Sequence, residues 1–599
     1  MIRLADYVMS FLEQQGVRDI FVVTGGGSVF LDDALGISKG IKYYCCHHEQ
    51  SVAMAAEAYA RVKGDLGVSL VTTGPGGTNT ITGVCGSWTD SVPHLVISGQ
   101  VFLNQTVGNT ELRQLGVQEI NIVDIVKPIT KYAVMVEDPT KIRYHLEKAI
   151  YLAKSGRPGP VWLDIPANVQ NAKIEENELI GFNVEEAKPR YDNDLVQKVA
   201  QIVEVLRKGK RPLLHAGYGI RIAGAIDDFR RLVEQYQLPF VTSRNANDLI
   251  ESNHQFYVGR PGTFPQRWAN FAVQNCDVYI SIGTRLSLPQ TGYNAKDYAR
   301  NAFKVMVDVD KAELFKKTLV LDLRVNADAK EFILELEKQL AQQKVEFETN
   351  SWITQCQEWK KKYPIVLPEF QKQLRYVNSY HFADVLSDVL SAEDIIVTDM
   401  GFAFQTTHQT FRVKNGQRLF TNSGFASMGW GLPAAVGAAV ASNGAKNVIC
   451  LAGDGGFMMN IQELATVMHH QFPIKIFVYN NAGYLTQKQT FEVNFGRVIG
   501  SDKASGLSFP DFQKVAEAHG IPFTRIYSHI KMDEKIRAVV DAPGPQFCEL
   551  MMDPNQAQIP KAVPRKRPDG TSIPILFEDL FPFLDESELK GNMIAEKFR

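Results

Sequence analysis

Residues 453–481, GDGGFMMNIQELATVMHHQFPIKIFVYNN, limit what this chain can fold into more sharply than any other stretch. They follow KNVICLA and contain IKIFVY, two short apolar runs of β type. Between those runs Ile461, Leu464, Ala465 and Met468 recur at helical spacing, which predicts a strand, a helix and a second strand. Such a crossover makes the two strands parallel, so Asp454 and Asn481 leave the same sheet edge. That edge, beyond the carboxyl ends of parallel strands, is where open α/β sheets bind ligands. A carboxylate, an amide oxygen and a backbone carbonyl in the turn after Asn481 supply half of an octahedral oxygen shell. Mg²⁺ suits that shell, with phosphate oxygens and water completing it. Asp-Gly and Asn-Asn are also ordinary turn signals after strands. Their joint placement at the two mouths of one crossover favours the ligand-binding reading.

The chain has 599 residues, enough for three or four domains. With 64 basic and 66 acidic side chains its net charge is −2, which gives no electrostatic footprint for nucleic acid or an anionic membrane and points to a small-molecule partner. Seven cysteines without metal-type spacing fit reduced thiols in a cytoplasmic setting. The opening MIRLADYVMSFLEQQG carries charges through an amphipathic helical pattern, unlike a signal peptide or a membrane span. Strand and helix patterns alternate in three α/β blocks, which predicts three doubly wound, mainly parallel sheets. The blocks span 1–172, 190–345 and 375–555, with a charged linker after the first and a polar helical connection over 346–375. Residues 556–599, rich in proline and charge, read as a tail laid over a surface.

Several strings occur in one family's order: HHEQSVAMAAEAYAR, TTGPGGTN, GRPGPVWLDIP, SMGWGLPAAVGAA and the span from GDG to NN. Over residues 1–555 the chain resembles the thiamine diphosphate-dependent enzymes of the acetolactate synthase group. The resemblance implies a pyrimidine-binding domain, a central domain and a diphosphate-binding domain, with each cofactor shared between two subunits of a homodimer or homotetramer. It implies that Glu49 bonds the pyrimidine ring nitrogen, stabilising the imino tautomer that takes the thiazolium C2 proton. A glutamate favoured at a helix start by the dipole is the plain alternative. By the same match Met428 is the wedge between the two rings and the carbonyl of Ala426 takes the amino hydrogen bond. Gly26, Pro75 and Asn79 line the cofactor, while Gly401, Phe402, Gly455 and Gly456 line the diphosphate. Asp454, Asn481 and the carbonyl of Gly483 bind Mg²⁺, and Gln118 faces the reacting carbon. The neighbouring His47 and His48 point apart with no third ligand at a supportive spacing, which argues against zinc.

In the central block, Gly217, Gly219, Thr242, Gly259, Gly283, Arg285 and Asp308 fall where the family holds FAD, which does no net redox work in carboligation. A second arginine expected after GTR is replaced by the segment LPQTG. The reaction implied is decarboxylation of a 2-oxo acid, most simply pyruvate, and transfer of the two-carbon unit to a ketone acceptor. Three departures bear on that acceptor. Val117 stands where the family usually has phenylalanine, Lys488 where it has tryptophan, and the loop 102–116 is long. Together with the tail segment PRKRPDGTS they favour a larger anionic acceptor, a nucleotide-linked deoxyketosugar of the yersiniose-type branched-sugar synthases. The alternative is an acetolactate synthase using a second 2-oxo acid. A catalytically silent regulatory homologue is the third reading, and the presence of Glu49, Asp454 and Asn481 argues against it.

Overall fold

Runs of β-branched and apolar residues bounded by glycine turns place six strands in each of three sheets, and all three sheets are parallel throughout. A computed structural model describes residues 1–566, 571–573 and 575–594. The first sheet runs Lys42–Cys45, Asp19–Val22, Gly67–Val71, His94–Gln100, Pro160–Pro166, Tyr132–Met135. The third runs Arg418–Phe420, Ile395–Thr398, Val448–Gly453, Ile474–Asn480, Gln546–Met551, Phe523–Ile526. Numbered along the chain within each sheet, both orders are 2-1-3-4-6-5, so the first and third units share one topology. The middle sheet runs Tyr257–Gly259, Phe240–Thr242, Pro212–Ala216, Val278–Ile282, Phe303–Asp308, Leu323–Asn326. Its order, 3-2-1-4-5-6, is that of dinucleotide-binding sheets.

The shared topology sets the contact between the outer units. In each, the second strand in chain order leads to a helix, Glu49–Lys63 in the first and Gly431–Ala441 in the third, and these two helices pack together inside one apolar core. They approach closely because their facing residues are small: a Cβ added at Gly437 would lie 2.0 Å from the carbonyl oxygen of Ala55. A buried carboxylate links the two sides of the same seam. Glu57, fully enclosed, pairs with Arg61 and accepts Trp430 Nε1–H at 2.5 Å. Removing Arg61 would leave the Glu57 carboxylate buried without its cation, whereas Arg61 also pairs with Asp90 at 2.8 Å.

The crossover that opened the sequence reading differs in one respect from a single helix. Asp454–Met458 forms one short helix and Leu464–His470 another, with a break between them. Asn460 causes it, because its side chain turns away to donate to the Gly429 carbonyl at 2.7 Å and to accept Ser51 Oγ–H at 3.1 Å. The connection over 346–375 carries the helix Asn350–Lys362, which buries Trp352 and Trp359. The described part of the tail ties the middle and third units. Ile559 N–H donates to Tyr380 Oη, Gln409 Nε2–H to the Pro560 carbonyl and Ala562 N–H to the Thr263 carbonyl, at 2.8, 2.9 and 2.9 Å. Residues 567–570 of the PRKRPDGTS segment lie outside the described residues. Among the described residues no helix is long and apolar enough to cross a membrane.

Candidate active site

Asp454 follows the strand Val448–Gly453 and Asn481 follows the strand Ile474–Asn480, its neighbour in the sheet, so the two residues meet at one edge. Asp454 is buried, and its Oδ2 accepts the backbone N–H groups of Asn481 and Gly483, each at 3.1 Å. Its Oδ1 accepts Gly455 N–H at 2.7 Å. Burial pushes the Asp454 carboxyl up to about 7 against those three donors, so a nearby cation would favour its ionised form. The decisive atom is Asn481 Oδ1, which is buried without a hydrogen-bond partner. An orphaned amide oxygen beside a desolvated carboxylate is costly unless something electropositive arrives. The donor set therefore fits Mg²⁺. Among the described residues no group of three or more His, Cys, Asp or Glu side chains could hold a metal, so a cation here depends on amide and backbone oxygens too. His48 is a helix cap, its Nδ1 accepting Gln50 N–H at 2.9 Å.

The turns around this edge are tight enough to require glycine. A Cβ at Gly455 would enter the Tyr484 ring at 1.9 Å, and one at Gly456 would come within 2.7 Å of Asp399 Oδ2. Gly401, at φ +90°, precedes the helix Phe402–Thr410 and leaves the first N–H groups of that helix facing outward. Asp399 escaped the sequence reading. Fully buried, it accepts Gly429 N–H at 3.1 Å and so anchors the turn that carries Met428. Ala426 holds φ +61°, a left-handed conformation unusual for a residue with a side chain, and Ala426 is solvent-exposed.

On the first unit, Glu49 begins its helix and its Oε2 accepts Asn79 Nδ2–H at 2.9 Å. Gly26 lies in the turn packed on Thr72, where Gly27 N–H donates to Thr72 Oγ1 at 3.0 Å. Pro75 opens the short helix Pro75–Asn79 after Gly74, whose Cβ would collide with the Gln118 carbonyl at 2.2 Å. Glu49, Gly26, Pro75, Asn79 and Gln118 thus gather at one sheet edge. Buried Glu119 fixes the long loop beside them, accepting Val107 N–H at 3.1 Å and Leu115 N–H at 3.2 Å. Pro75, Asn79 and Gln118 are exposed in the single chain, and Val117 is 85% exposed. Among the described residues no hydrogen bond joins Glu49 to Ala426, Met428 or Asp454. Lys488 sits in the helix Leu485–Phe495 with its Nζ 3.5 Å from Asp502 Oδ2.

A second cleft opens at the carboxyl edge of the middle sheet, lined by Gly219, Gly283, Arg285 and Asp308 of the expected FAD positions. Gly217 abuts it from behind, since its Cβ would meet the Gly283 carbonyl at 2.1 Å. Thr242 and Gly259 lie elsewhere. Thr242 Oγ1 is bonded to Asn247 and Tyr257, and Gly259 packs against Gln266 and Trp268. Arg157 and Arg244 line the cleft as well. Arg157 of GRPGP pairs with Asp310 and Glu313 at 2.8 and 3.0 Å. Arg244 lies over the Phe404 ring at 5.2 Å, and burial lowers its pKa to about 10. Burial also pushes the Asp308 carboxyl up to about 6.

Known proteins agree with this layout. The thiamine pyrophosphate enzyme family matches in three pieces: its N-terminal TPP binding domain over residues 2–125, its central domain over 199–336 and its C-terminal TPP binding domain over 399–550. A probable acetolactate synthase large subunit of Methanocaldococcus jannaschii is 32% identical across 99% of both chains. The acetolactate synthase large subunit of Lactococcus lactis is 32% identical over 92% of this chain and 93% of its own, and that of Cyanidium caldarium 31% identical over 93% and 94%. With a metal-ready edge on one outer unit, a glutamate-bearing edge on the other and end-to-end similarity to these proteins, the chain belongs to the thiamine pyrophosphate enzymes, in the acetolactate synthase group.

Proposed function

We propose that the chain is a thiamine diphosphate- and Mg²⁺-dependent carboligase that decarboxylates pyruvate and joins the two-carbon unit to a second 2-oxo acid. The observation that carries this reading is the full set of cofactor-handling residues on a chain similar from end to end to relatives named acetolactate synthase large subunit. Bound thiamine diphosphate supplies the electron sink for loss of CO₂ from the 2-oxo acid. Asp454, the Asn481 amide oxygen and the Gly483 carbonyl hold Mg²⁺. Backbone N–H groups at Gly401–Phe402 and Gly455–Gly456 bind the diphosphate. The Glu49 carboxylate, oriented by Asn79, would hold a proton at the pyrimidine ring of the bound cofactor, with the Ala426 carbonyl and Met428 as further residues that would hold it. Gln118 positions the acceptor carbonyl, with Val117 leaving room beside it. The open Glu49 edge supports a site completed by the third unit of a second copy, making a homodimer the minimum active unit. The middle cleft, with its dinucleotide-type strand order and the Arg244 guanidinium, is read as the FAD site.

Lys488 bears on the acceptor. Its ammonium faces the Asp502 carboxylate, so less of its charge is available to an incoming diphosphate. That favours the small 2-oxo acid over the nucleotide-linked deoxyketosugar. The sugar reading keeps one supporting observation, because Lys503 joins Lys488 in the cavity beside Asn481 and the two cations could meet a diphosphate. Mass spectrometry of products from labelled pyruvate, alone and with a panel of nucleotide-linked ketosugars, separates the two. Labelled acetolactate from pyruvate alone is the expected result. A branched sugar formed with no acetolactate under any condition overturns it.

A further inference from the structure

A cavity of ≈ 840 Å³ lies away from both sites, at the seam where the middle unit, the helix Asn350–Lys362 and the third unit meet. Trp268, Ile365, Phe411 and Val413, all buried, form an apolar patch in a lining that also carries Glu251, Asp384, Asp388, Arg412 and Lys414. Charge in the lining is otherwise spoken for. Glu251 pairs with Arg230 at 2.5 Å, and Asp384 and Asp388 pair with Arg412 at 3.1 and 2.9 Å. Lys414 donates to the Leu390 carbonyl. Lys360 is different: its ammonium lines the cavity with no hydrogen bond or ion pair among the described residues. Burial pulls its pKa below the ordinary lysine value, and the guanidinium of Arg260 adds to that. Arg260 itself is buried and bonded only to neutral groups, the carbonyls of His408 and Phe411, Ser252 Oγ and Tyr257 Oη. The seam therefore holds two partly or fully desolvated cations that none of the lining carboxylates pairs with. Thr410 supplies a second unmet demand, because its Oγ1 is buried without a partner although the residue is only 7% exposed.

An apolar patch beside one free ammonium and one idle hydroxyl is complementary to a small amphipathic anion. We propose that this cavity is a binding site for a monocarboxylate with a short aliphatic body, its carboxylate on Lys360 Nζ and Thr410 Oγ1 and its chain against Trp268, Ile365 and Val413. An inorganic anion would leave the walls unfilled, and a neutral hydrocarbon would leave Lys360 unpaired. Because Lys360 touches neither the Asp454 edge nor the Glu49 edge, the inference stands whatever the acceptor of the reaction.

The test is calorimetric titration of 4-methylpentanoate into the holoenzyme, with thiamine diphosphate and Mg²⁺ saturating. The wild type should bind it at up to millimolar concentration. Lys360→Met should bind at least about tenfold more weakly, the scale of one desolvated charge-assisted hydrogen bond. Thr410→Val should lose several-fold and Lys360→Arg should retain most of the affinity. Pyruvate turnover should be unchanged in Lys360→Met, which shows that the variant is folded and separates this site from the active site. The uncharged 4-methylpentan-1-ol should bind the wild type and Lys360→Met equally weakly. Absence of 4-methylpentanoate binding at millimolar concentration overturns the proposal, as does equal affinity in wild type and Lys360→Met.

Discussion

Two carboxylates at the proposed site do opposite kinds of work, and substitution should tell them apart. Glu49 sits at an open edge with one neutral partner, Asn79, so it contributes little to holding a cofactor. Glu49→Gln should therefore keep most thiamine diphosphate affinity while slowing proton exchange at the thiazolium C2 by at least about a hundredfold, read by NMR of bound cofactor in D₂O. Exchange at the wild-type rate would remove Glu49 from the proton path. Asp454 is enclosed, next to the orphaned Asn481 oxygen. Asp454→Ala takes the one anionic ligand from the cation, so thiamine diphosphate retention on gel filtration should fail at Mg²⁺ levels that saturate the wild type. Of these residues, Asp454 and Asn481 were read from spacing, and Glu49 only from the family resemblance. Asp399 and Glu119 were read from neither, because a buried carboxylate that braces a turn or loop carries no local pattern.

At the scale of elements, the pairing of Glu49–Lys63 with Gly431–Ala441 depends on missing side chains. Gly437→Ala would drive a methyl into the Ala55 carbonyl and force the helices apart. The expected cost is about 1–3 kcal/mol, seen as a lower thermal midpoint with loss of activity following it. An unchanged midpoint would mean that the seam yields. The strand Pro160–Pro166 makes a second prediction through Asp164. Burial pushes its carboxyl up to about 7, although Ser98 Oγ and Gln100 Nε2 both favour the ionised form. A carboxyl whose folded pKa is raised keeps its proton after the unfolded chain has lost it. Its contribution is present below about pH 4 and declines by up to about 1.4 kcal/mol per pH unit as pH rises to about 7. The thermal midpoint of the wild type should therefore fall more steeply across that window than that of Asp164→Asn. Parallel profiles would show that Asp164 titrates normally.

At the scale of the whole molecule, a Glu49 edge left open by its own chain makes a specific demand on assembly. If a second copy closes it, each site uses Glu49 from one chain and Asp454 from the other. Glu49→Gln and Asp454→Ala chains, each inactive alone, should then recover activity when co-expressed, because a mixed dimer contains one site with both residues intact. Sites complete within one chain give no recovery, and that result would sink the shared-site reading. Complementation distinguishes these cases without any assumption about the acceptor.

What the sequence determined by itself was whatever is written in short-range pattern. Apolar runs between glycine turns marked the parallel sheets, and the strand–helix–strand spacing of 453–481 put Asp454 and Asn481 on one edge. Gly283 and Arg285 of GTR and, separately, Asp308 likewise line the middle cleft, where Gly283 turns the chain at φ +60°. Only the tertiary structure decided what depends on residues far apart in the chain. It gave the outer sheets a common strand order, broke the crossover helix at Asn460 to serve Ser51 and Gly429, and set Asp502 against Lys488. It also moved Thr242 and Gly259 out of the cleft and left Lys360 and Thr410 without partners in a chamber built from three separate segments. Local pattern fixes how a segment folds, whereas desolvation and charge pairing are properties of neighbours that only the folded chain brings together.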